Sequence, residues 1–203
     1  MARKSDSAVA MRGRCARSRR PLANHGFCQW MMFVISFSVM MSAPVFAQVS
    51  KEYQLKAVFL WRLAQFAEWP NDAFESADSP IVICLLGENP FGDALEAAVR
   101  GETAHGRKLI VQLHRNVDQI RACHLLYITG SGPRQAKEIS AALAGRSVLT
   151  VRDVGELPSS FETIVRFITD ENKIKLRISL KRAAAARLVL DPRLLRAAEI
   201  IDE

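Results

Sequence analysis

The residues of this sequence that could do chemistry are a few widely spaced histidines and cysteines. His105, His114 and His124 have no second histidine, cysteine or carboxylate at metal-ligand spacing, so we expect no metal site. Cys123 and His124 are adjacent and could act as a nucleophile with its base. On a strand, however, they would point to opposite faces, which prevents that pairing. We therefore expect no metal, no cofactor and no catalytic residue.

Two further groups of residues follow predicted strand ends. Gly130, Ser131 and Gly132 lie between a strand and a helix, where backbone N–H groups could hold an anion. The loop lacks the lysine of a P-loop and the third glycine of a dinucleotide fingerprint, so a tight turn is the competing interpretation. Asp153 and Glu156 also follow a strand, but no nucleophile accompanies them. This pattern favours a binding protein over an enzyme.

The elements that position these groups alternate between apolar strands and helices. We predict helices over 50–68, 89–100 and 133–144, fully covered strands over 80–87 and 123–129, a strand nearer an edge over 107–113, and a short strand over 147–151. Residues 161–168 and 173–180 alternate with period two and predict an antiparallel hairpin, followed by helical segments over 182–189 and 192–201. The fold class is α/β, as a single three-layer domain with a mostly parallel sheet, helices on both faces and a C-terminal hairpin.

The charge of the chain is concentrated at its beginning. The 203 residues carry a net charge of +7, and the seven basic residues and one acidic residue before position 48 account for +6 of it. The remainder is close to neutral, so a basic surface for nucleic acid is not expected.

The same basic segment leads into an apolar run over 30–41, and small residues follow at Val45 and Ala47. This order predicts a secretory signal over 1–47, cleaved after Ala47, and an α/β domain over 48–203. The competing interpretation is a retained signal anchor, but the run of 12 residues is short for a membrane span, which needs about 20. No cysteine follows the run as a lipidation site. We expect a soluble, unlipidated periplasmic protein.

The predicted mature chain keeps two cysteines, Cys84 and Cys123. Export to an oxidising compartment makes a disulfide the natural use of such a pair, and two buried free thiols are the alternative.

The first predicted helix carries more large apolar side chains than one buried face requires. Leu55, Phe59, Leu63 and Phe66 form one stripe, which we assign to the core. A further apolar surface remains, with Tyr53 and Leu60 on a second flank and Trp61 almost opposite the stripe. This surface predicts either an interface with another protein chain or a helix buried on two sides.

Several motifs, in this order, resemble the YfiR family of periplasmic regulators. The segment 56–70, KAVFLWRLAQFAEWP, is similar to the family's opening "KA.YL.NF..F.EWP". The others are ICLLGENPFG over 83–92, HGR over 105–107, CHLLYI over 123–128, which matches "CHILFI", SVLTVRD over 147–153, and the segment 174–195.

The resemblance implies a compact α/β domain, usually dimeric, that binds and represses the periplasmic domain of an inner-membrane diguanylate cyclase. Repression would lower cyclic di-GMP, exopolysaccharide and biofilm formation, and an outer-membrane lipoprotein would relieve it. Family resemblance also implies that Cys84 pairs with Cys123. A second cysteine pair found in some members is missing here, and Glu162 and Thr163 replace the usual Gly-Gly.

Two alternatives to this function remain. The same fold could be a small-molecule-binding sensor that uses the loops 87–92 and 130–133 and acts on another membrane signalling protein. The chain could also be a hydrolase with an unrecognised site.

Overall fold

The structure is a computed structural model that describes residues 49–130, 133–154, 162–171 and 173–201. The predicted signal segment 1–47, Ser131, Gly132 and Glu156 lie outside the described residues. No helix in these ranges is both long and apolar enough to cross a membrane.

Ten strands and five helices make up the described chain. The helices are α1 (Lys51–Phe66), α2 (Ala94–Val99), α3 (Pro133–Leu143), α4 (Leu180–Ala185) and α5 (Pro192–Arg196). The strands are β1 (Ala67–Glu68), β2 (Ile81–Leu86), β3 (Thr103–Ala104), β4 (Arg107–His114), β5 (Leu125–Ile128), β6 (Leu149–Asp153), β7 (Val165–Asp170), β8 (Lys173–Ser179), β9 (Val189–Leu190) and β10 (Glu199–Ile201). Two 3₁₀ turns, Asn71–Ala73 and Val117–Ala122, precede β2 and β5.

Eight of these strands form the main sheet in the order β10-β8-β7-β6-β5-β2-β4-β3. The five strands from β4 to β7 are parallel neighbours, while β7–β8 and β3–β4 pair antiparallel. The chain enters the main sheet in its middle, at β2, and adds β4 on one side. It then crosses back over β2 to add β5 on the other side. This is the doubly wound order in which the winding direction changes between the first and third parallel strands, here β2 and β5.

Apolar clusters cover both faces of the sheet, as the sequence predicts. On one face α1 and α2 pack over large buried side chains such as Phe91, Tyr127 and Phe167. On the other face α3 and the second 3₁₀ turn cover Cys84, Leu126 and Ile128. The continuous apolar character of β2 and β5 follows from this double cover, because neither strand has a wet face.

Helix α1 begins and ends with specific backbone contacts. The Ser50 hydroxyl accepts a hydrogen bond from the backbone N–H of Tyr53 at 3.3 Å and caps the helix. The predicted end at residue 68 is wrong by two residues, because Ala67 and Glu68 leave the helix as β1 and pair with β9. Pro70 follows, where the preceding residue avoids helical geometry.

Other predicted helices are shorter because local turns and strand pairing replace their ends. The predicted helix 89–100 is helical only from Ala94, since the Asn89 side chain holds a turn by bonding to Phe91 and Gly92. The two C-terminal segments predicted as helices each lead into a short strand, β9 or β10. In each case a tertiary partner strand overrides local helix propensity.

The disulfide implied by the family resemblance is present. Cys84 lies in β2 and Cys123 lies just before β5, the neighbouring strand, with 5.7 Å between their Cα atoms. Both cysteines are buried in the cluster under α3. The bridge therefore ties the two central strands at the place where the winding direction changes.

Replacing both cysteines by alanine should lower the stability of the oxidised protein. The bridge closes a loop of 39 positions, and loop-closure entropy makes its loss worth about 4 kcal/mol. For a chain of this size that corresponds to a fall in melting temperature of about 10 °C. Calorimetry under oxidising conditions measures it.

The matched control is wild-type protein treated with reductant, which should lose a similar amount of stability. The same reductant should leave the melting temperature of the alanine variant unchanged. Two free thiols by mass spectrometry in oxidised wild-type protein would contradict the bridge.

Candidate functional site

A cluster around a buried lysine joins α1 to three strands. It lies where the parallel strands reach their carboxyl ends, which we call the carboxyl edge of the sheet; the opposite end is the amino edge. Lys56 is only 2% exposed, and its Nζ lies 2.8 Å from Asp153 Oδ1 and 2.5 Å from Glu52 Oε1. The Tyr127 hydroxyl donates to Asp153 Oδ2 at 2.7 Å, and the Thr169 hydroxyl donates to Glu52 at 2.6 Å. These five residues, which we call the Lys56 cluster, connect α1 with β5, β6 and β7.

The electrostatics of the Lys56 cluster keep its lysine charged. Burial pushes the pKa of Lys56 down, but the hydrogen bonds and charges of Asp153 and Glu52 outweigh it and raise the pKa above its ordinary value. The hydrogen bond from Lys56, with that from Thr169, lowers the pKa of Glu52. A nucleophilic or base lysine needs a lowered pKa. The arrangement therefore suits a structural ion pair rather than lysine catalysis.

Sequence reasoning noted Asp153 but missed its partners. A detectable signal exists in α1, where Lys56 stands one turn before the buried Leu60 and Glu52 stands four residues before Lys56. A lysine among buried helix positions requires a carboxylate across the fold. The sequence does not say which carboxylate it meets, since that depends on how α1 lies over β6.

Beside the Lys56 cluster lies an open cleft of about 860 Å³ at the point where the winding direction changes. Its lining comes from the ends of β2, β4 and β5 and from α1, namely Tyr53, Gly87, Glu88, Asn89, Pro90, Leu113, Arg115, Thr129 and Gly130. Gly130 of the predicted anion loop therefore lies at this cleft. Clefts outside the carboxyl ends of strands at such a point are the usual ligand sites of open α/β sheets.

The floor of the cleft depends on a close approach that only glycine allows. Gly87 has φ +107°, and a Cβ there would lie 2.5 Å from the Thr129 hydroxyl oxygen. That hydroxyl donates to the carbonyl oxygens of Leu86 and Glu88 at 3.1 and 3.0 Å. The ends of β2 and β5 are therefore fixed to each other.

An aromatic side chain links the cleft to the Lys56 cluster. Phe91, fully buried, packs edge-on against Tyr127 at 4.9 Å and against Tyr53 at 5.5 Å between ring centroids. Tyr127 in turn bonds to Asp153. The loop 87–92 is thus held by both packing and polar contacts.

At the amino edge of the sheet, His124 is fully hydrogen-bonded. Its Nδ1 accepts from the backbone N–H of Val82 at 3.1 Å, so its Nε2 donates to the carbonyl oxygen of Ala73 at 3.1 Å. Burial lowers the pKa of His124, which favours the neutral ring. Cys123 is in the disulfide, so the dyad considered from the sequence does not exist.

The Trp-Pro segment that follows α1 closes over this histidine. The Trp69 indole donates to the His124 carbonyl oxygen at 3.1 Å, and Phe74 stacks on the His124 ring at 4.5 Å. Arg107 lies over the Phe74 ring, 3.7 Å from its centroid, and donates to the carbonyl oxygens of Ser76 and Ser79. Three motifs of the sequence, EWP, HGR and CH, therefore meet in one structural cluster.

Among the described residues, one group has three potential metal ligands within 4.8 Å of one another, namely Cys84, His114 and Cys123. Both sulfurs are used in the disulfide, so neither is a thiolate that could bind a metal. The donor set does not fit a metal site in this oxidised state.

The predicted interface residues of α1 lie mostly inside the chain. Leu60 is fully buried and Trp61 is 8% exposed, both in the core cluster, while Tyr53 is half-buried against Phe91. Leu60 and Trp61 are therefore core side chains of the described fold, as the alternative of a helix buried on two sides predicts. The reason is that α1 packs against both α2 and α5 as well as the sheet.

The predicted core stripe also needs correction. Leu63 is buried and Phe59 and Phe66 are half-buried, but Leu55 is 45% exposed. The inward positions include Lys56, because its pairing with Asp153 rotates the helix towards the sheet edge.

Comparison with known protein families identifies the family of this chain. The model of the YfiR/HmsC-like family matches residues 53–199, which includes the Lys56 cluster except Glu52, the cleft and the Trp69–His124 contact. The chain belongs to the YfiR/HmsC-like family. This family is one of periplasmic regulators in cyclic di-GMP signalling. No curated protein matches the chain.

The YfiR/HmsC-like protein should lose stability as pH falls from 7.5 to 5.5 partly through His124. The pKa of His124 in the folded state lies below its value in the unfolded chain, which is about 6.5. Acidification therefore protonates His124 in the unfolded chain first. The stability that the neutral, buried ring contributes at higher pH is lost as the pH falls below about 6.5. One such group contributes a slope of at most about 1.4 kcal/mol per pH unit. Urea unfolding at three pH values measures the slope.

His124→Asn should show a smaller slope than wild type, and His105→Asn, at an exposed turn, is the control that keeps it. An equal slope in wild type and His124→Asn would show that His124 does not carry this dependence.

Proposed function

We propose that this YfiR/HmsC-like protein binds the periplasmic domain of an inner-membrane diguanylate cyclase and represses the enzyme. The observation that carries the proposal is the family match over residues 53–199, almost the whole described fold. Repression lowers cyclic di-GMP and with it exopolysaccharide and biofilm formation. The protein acts as a homodimer in the periplasm, and an outer-membrane lipoprotein relieves the repression.

The side-chain chemistry of the described residues supports a binding role. The lysine that could have been a nucleophile is held as a charged ion pair, and the buried histidine has both ring nitrogens occupied. The cysteines are joined in a disulfide. These polar groups therefore stabilise the fold and are not free for catalysis.

The disulfide also fits the compartment. Disulfides form and persist in oxidising compartments such as the periplasm, where a cyclase's external domain is accessible. The cyclase product is made on the other side of the membrane, so repression must pass through the enzyme's membrane-spanning part.

The test uses a membrane diguanylate cyclase from the same cells, purified into lipid nanodiscs that leave both of its sides accessible. Adding the mature protein should reduce cyclic di-GMP synthesis in a saturable way. The matched control is the same cyclase without its periplasmic domain, which should remain active. Unchanged synthesis by every membrane cyclase of those cells, or equal inhibition of the truncated enzyme, would contradict the proposal.

A second candidate function is a small-molecule sensor, favoured by the cleft beside Gly87 and Gly130. A ligand of the folded state raises stability by mass action, by about 2.7 kcal/mol at one hundred times its Kd. Periplasmic extract fractions should therefore contain a compound that raises the melting temperature of wild type. Arg115→Ala, which removes the arginine of the cleft, should weaken that shift. A shift of equal size in this variant would place the ligand elsewhere.

A further inference from the structure

The lateral edge of the main sheet formed by β3 and β4 is open along most of its length. The short strand β3 pairs with β4 only at Arg107 and Lys108, through a two-residue turn at His105 and Gly106 with φ +52° and +76°. Beyond Lys108, no described strand pairs with the outer side of β4. The open stretch runs from Leu109 to His114.

The direction of the backbone groups along this stretch follows from the other ladder of β4. The carbonyl oxygen of His114 accepts from Gly87, next to the end of β2, so His114 faces β2. In a parallel pair, alternate residues direct both N–H and C=O towards the neighbour. Gln112 and Ile110 therefore face β2 as well, and the N–H and C=O groups of Leu109, Val111 and Leu113 point outwards.

The open stretch lacks the protection that sheet edges normally have. Its sequence, LIVQLH, contains no lysine, arginine, acidic residue, proline or glycine. Two of its apolar side chains are exposed, Ile110 by 36% and Leu113 by 51%. Natural edge strands are usually shortened, charged or bulged to prevent pairing with another chain. The opposite edge is different, since β10 has three residues and carries the Arg177–Glu199 ion pair.

The charges at the ends of the open stretch indicate what kind of strand fits. Exposed Lys108 precedes it and exposed Arg115 follows it. A second copy pairing antiparallel about Val111 would place Arg107 of each copy opposite Arg115 of the other. Like charges directly opposite each other destabilise a strand pair. An apolar strand with acidic residues at its ends complements the stretch instead.

We propose that the open edge of β4 receives an extended strand of the cyclase's periplasmic domain, apolar in its middle and acidic at its ends. This inference rests on the proposed function and adds the docking surface. Strand addition would give affinity through the backbone groups of Val111 and Leu113, and specificity through Ile110, Leu113 and the flanking charges.

The test uses the purified periplasmic domain of the cyclase that the mature protein inhibits. Val111→Pro removes the outward N–H at the centre of the edge but leaves the groups that face β2 intact, a position where proline is tolerated. It should weaken binding at least tenfold, whereas the control Val111→Ala, which keeps the N–H, should change it less than threefold. Lys108→Glu should also weaken binding, with a larger effect at low salt.

Hydrogen exchange followed by NMR gives a second measurement that does not depend on a variant folding. The amides of Val111 and Leu113 should exchange rapidly in the free protein and become protected when the cyclase domain binds. Binding without this protection, or equal affinity of the proline and alanine variants, would overturn the edge proposal and leave the proposed function standing. If the same amides become protected without the cyclase domain as the protein concentration rises, the edge pairs with a second copy of this chain, and the edge proposal is overturned. Absence of both binding and inhibition would overturn edge and function together.

Discussion

Lys56 carries a positive charge where water hardly reaches, and this requirement fixes how helix and sheet meet. An isolated buried ammonium group costs several kcal/mol, so the folded state must bring carboxylates to it. Glu52 comes from the same helix, but Asp153 comes from the end of β6, almost one hundred residues later. The need to pair Lys56 with Asp153 therefore sets both the rotation of α1 and the position of the helix over the carboxyl edge.

Much of the carboxyl edge depends on that placement. Asp153 also accepts from Tyr127, which packs against Phe91, and Phe91 holds the loop that follows β2. With α1 rotated to deliver Lys56, the helix directs Leu60 and Trp61 into the core and leaves Leu55 outside. Burial within the fold thus accounts for Leu60 and Trp61 without a second protein chain.

The sequence predicted the order of elements well because the signals for burial are local. The unbroken apolar runs of β2 and β5 indicate strands with two covered faces, and both lie at the centre of the sheet. Features that depend on distant partners were not predictable. Strands β9 and β10 are two and three residues long and exist only because β1 and β8 lie beside them. The core stripe of α1 was wrong at Leu55 for the same reason, since periodicity cannot identify Asp153 as the partner of Lys56.

The two edges of the fold suit different tasks because of how their polar groups are satisfied. At the amino edge the polar atoms of His124 and Trp69 are bonded within the chain, so these two side chains support the fold there. Near the carboxyl edge, a cleft and the unpaired outer side of β4 lie close together, since Leu113 belongs to both. A molecule in the cleft would contact the side chain of a residue whose backbone faces the open edge. Ligand binding and strand docking would then share Leu113, which is a direct physical route by which one could alter the other.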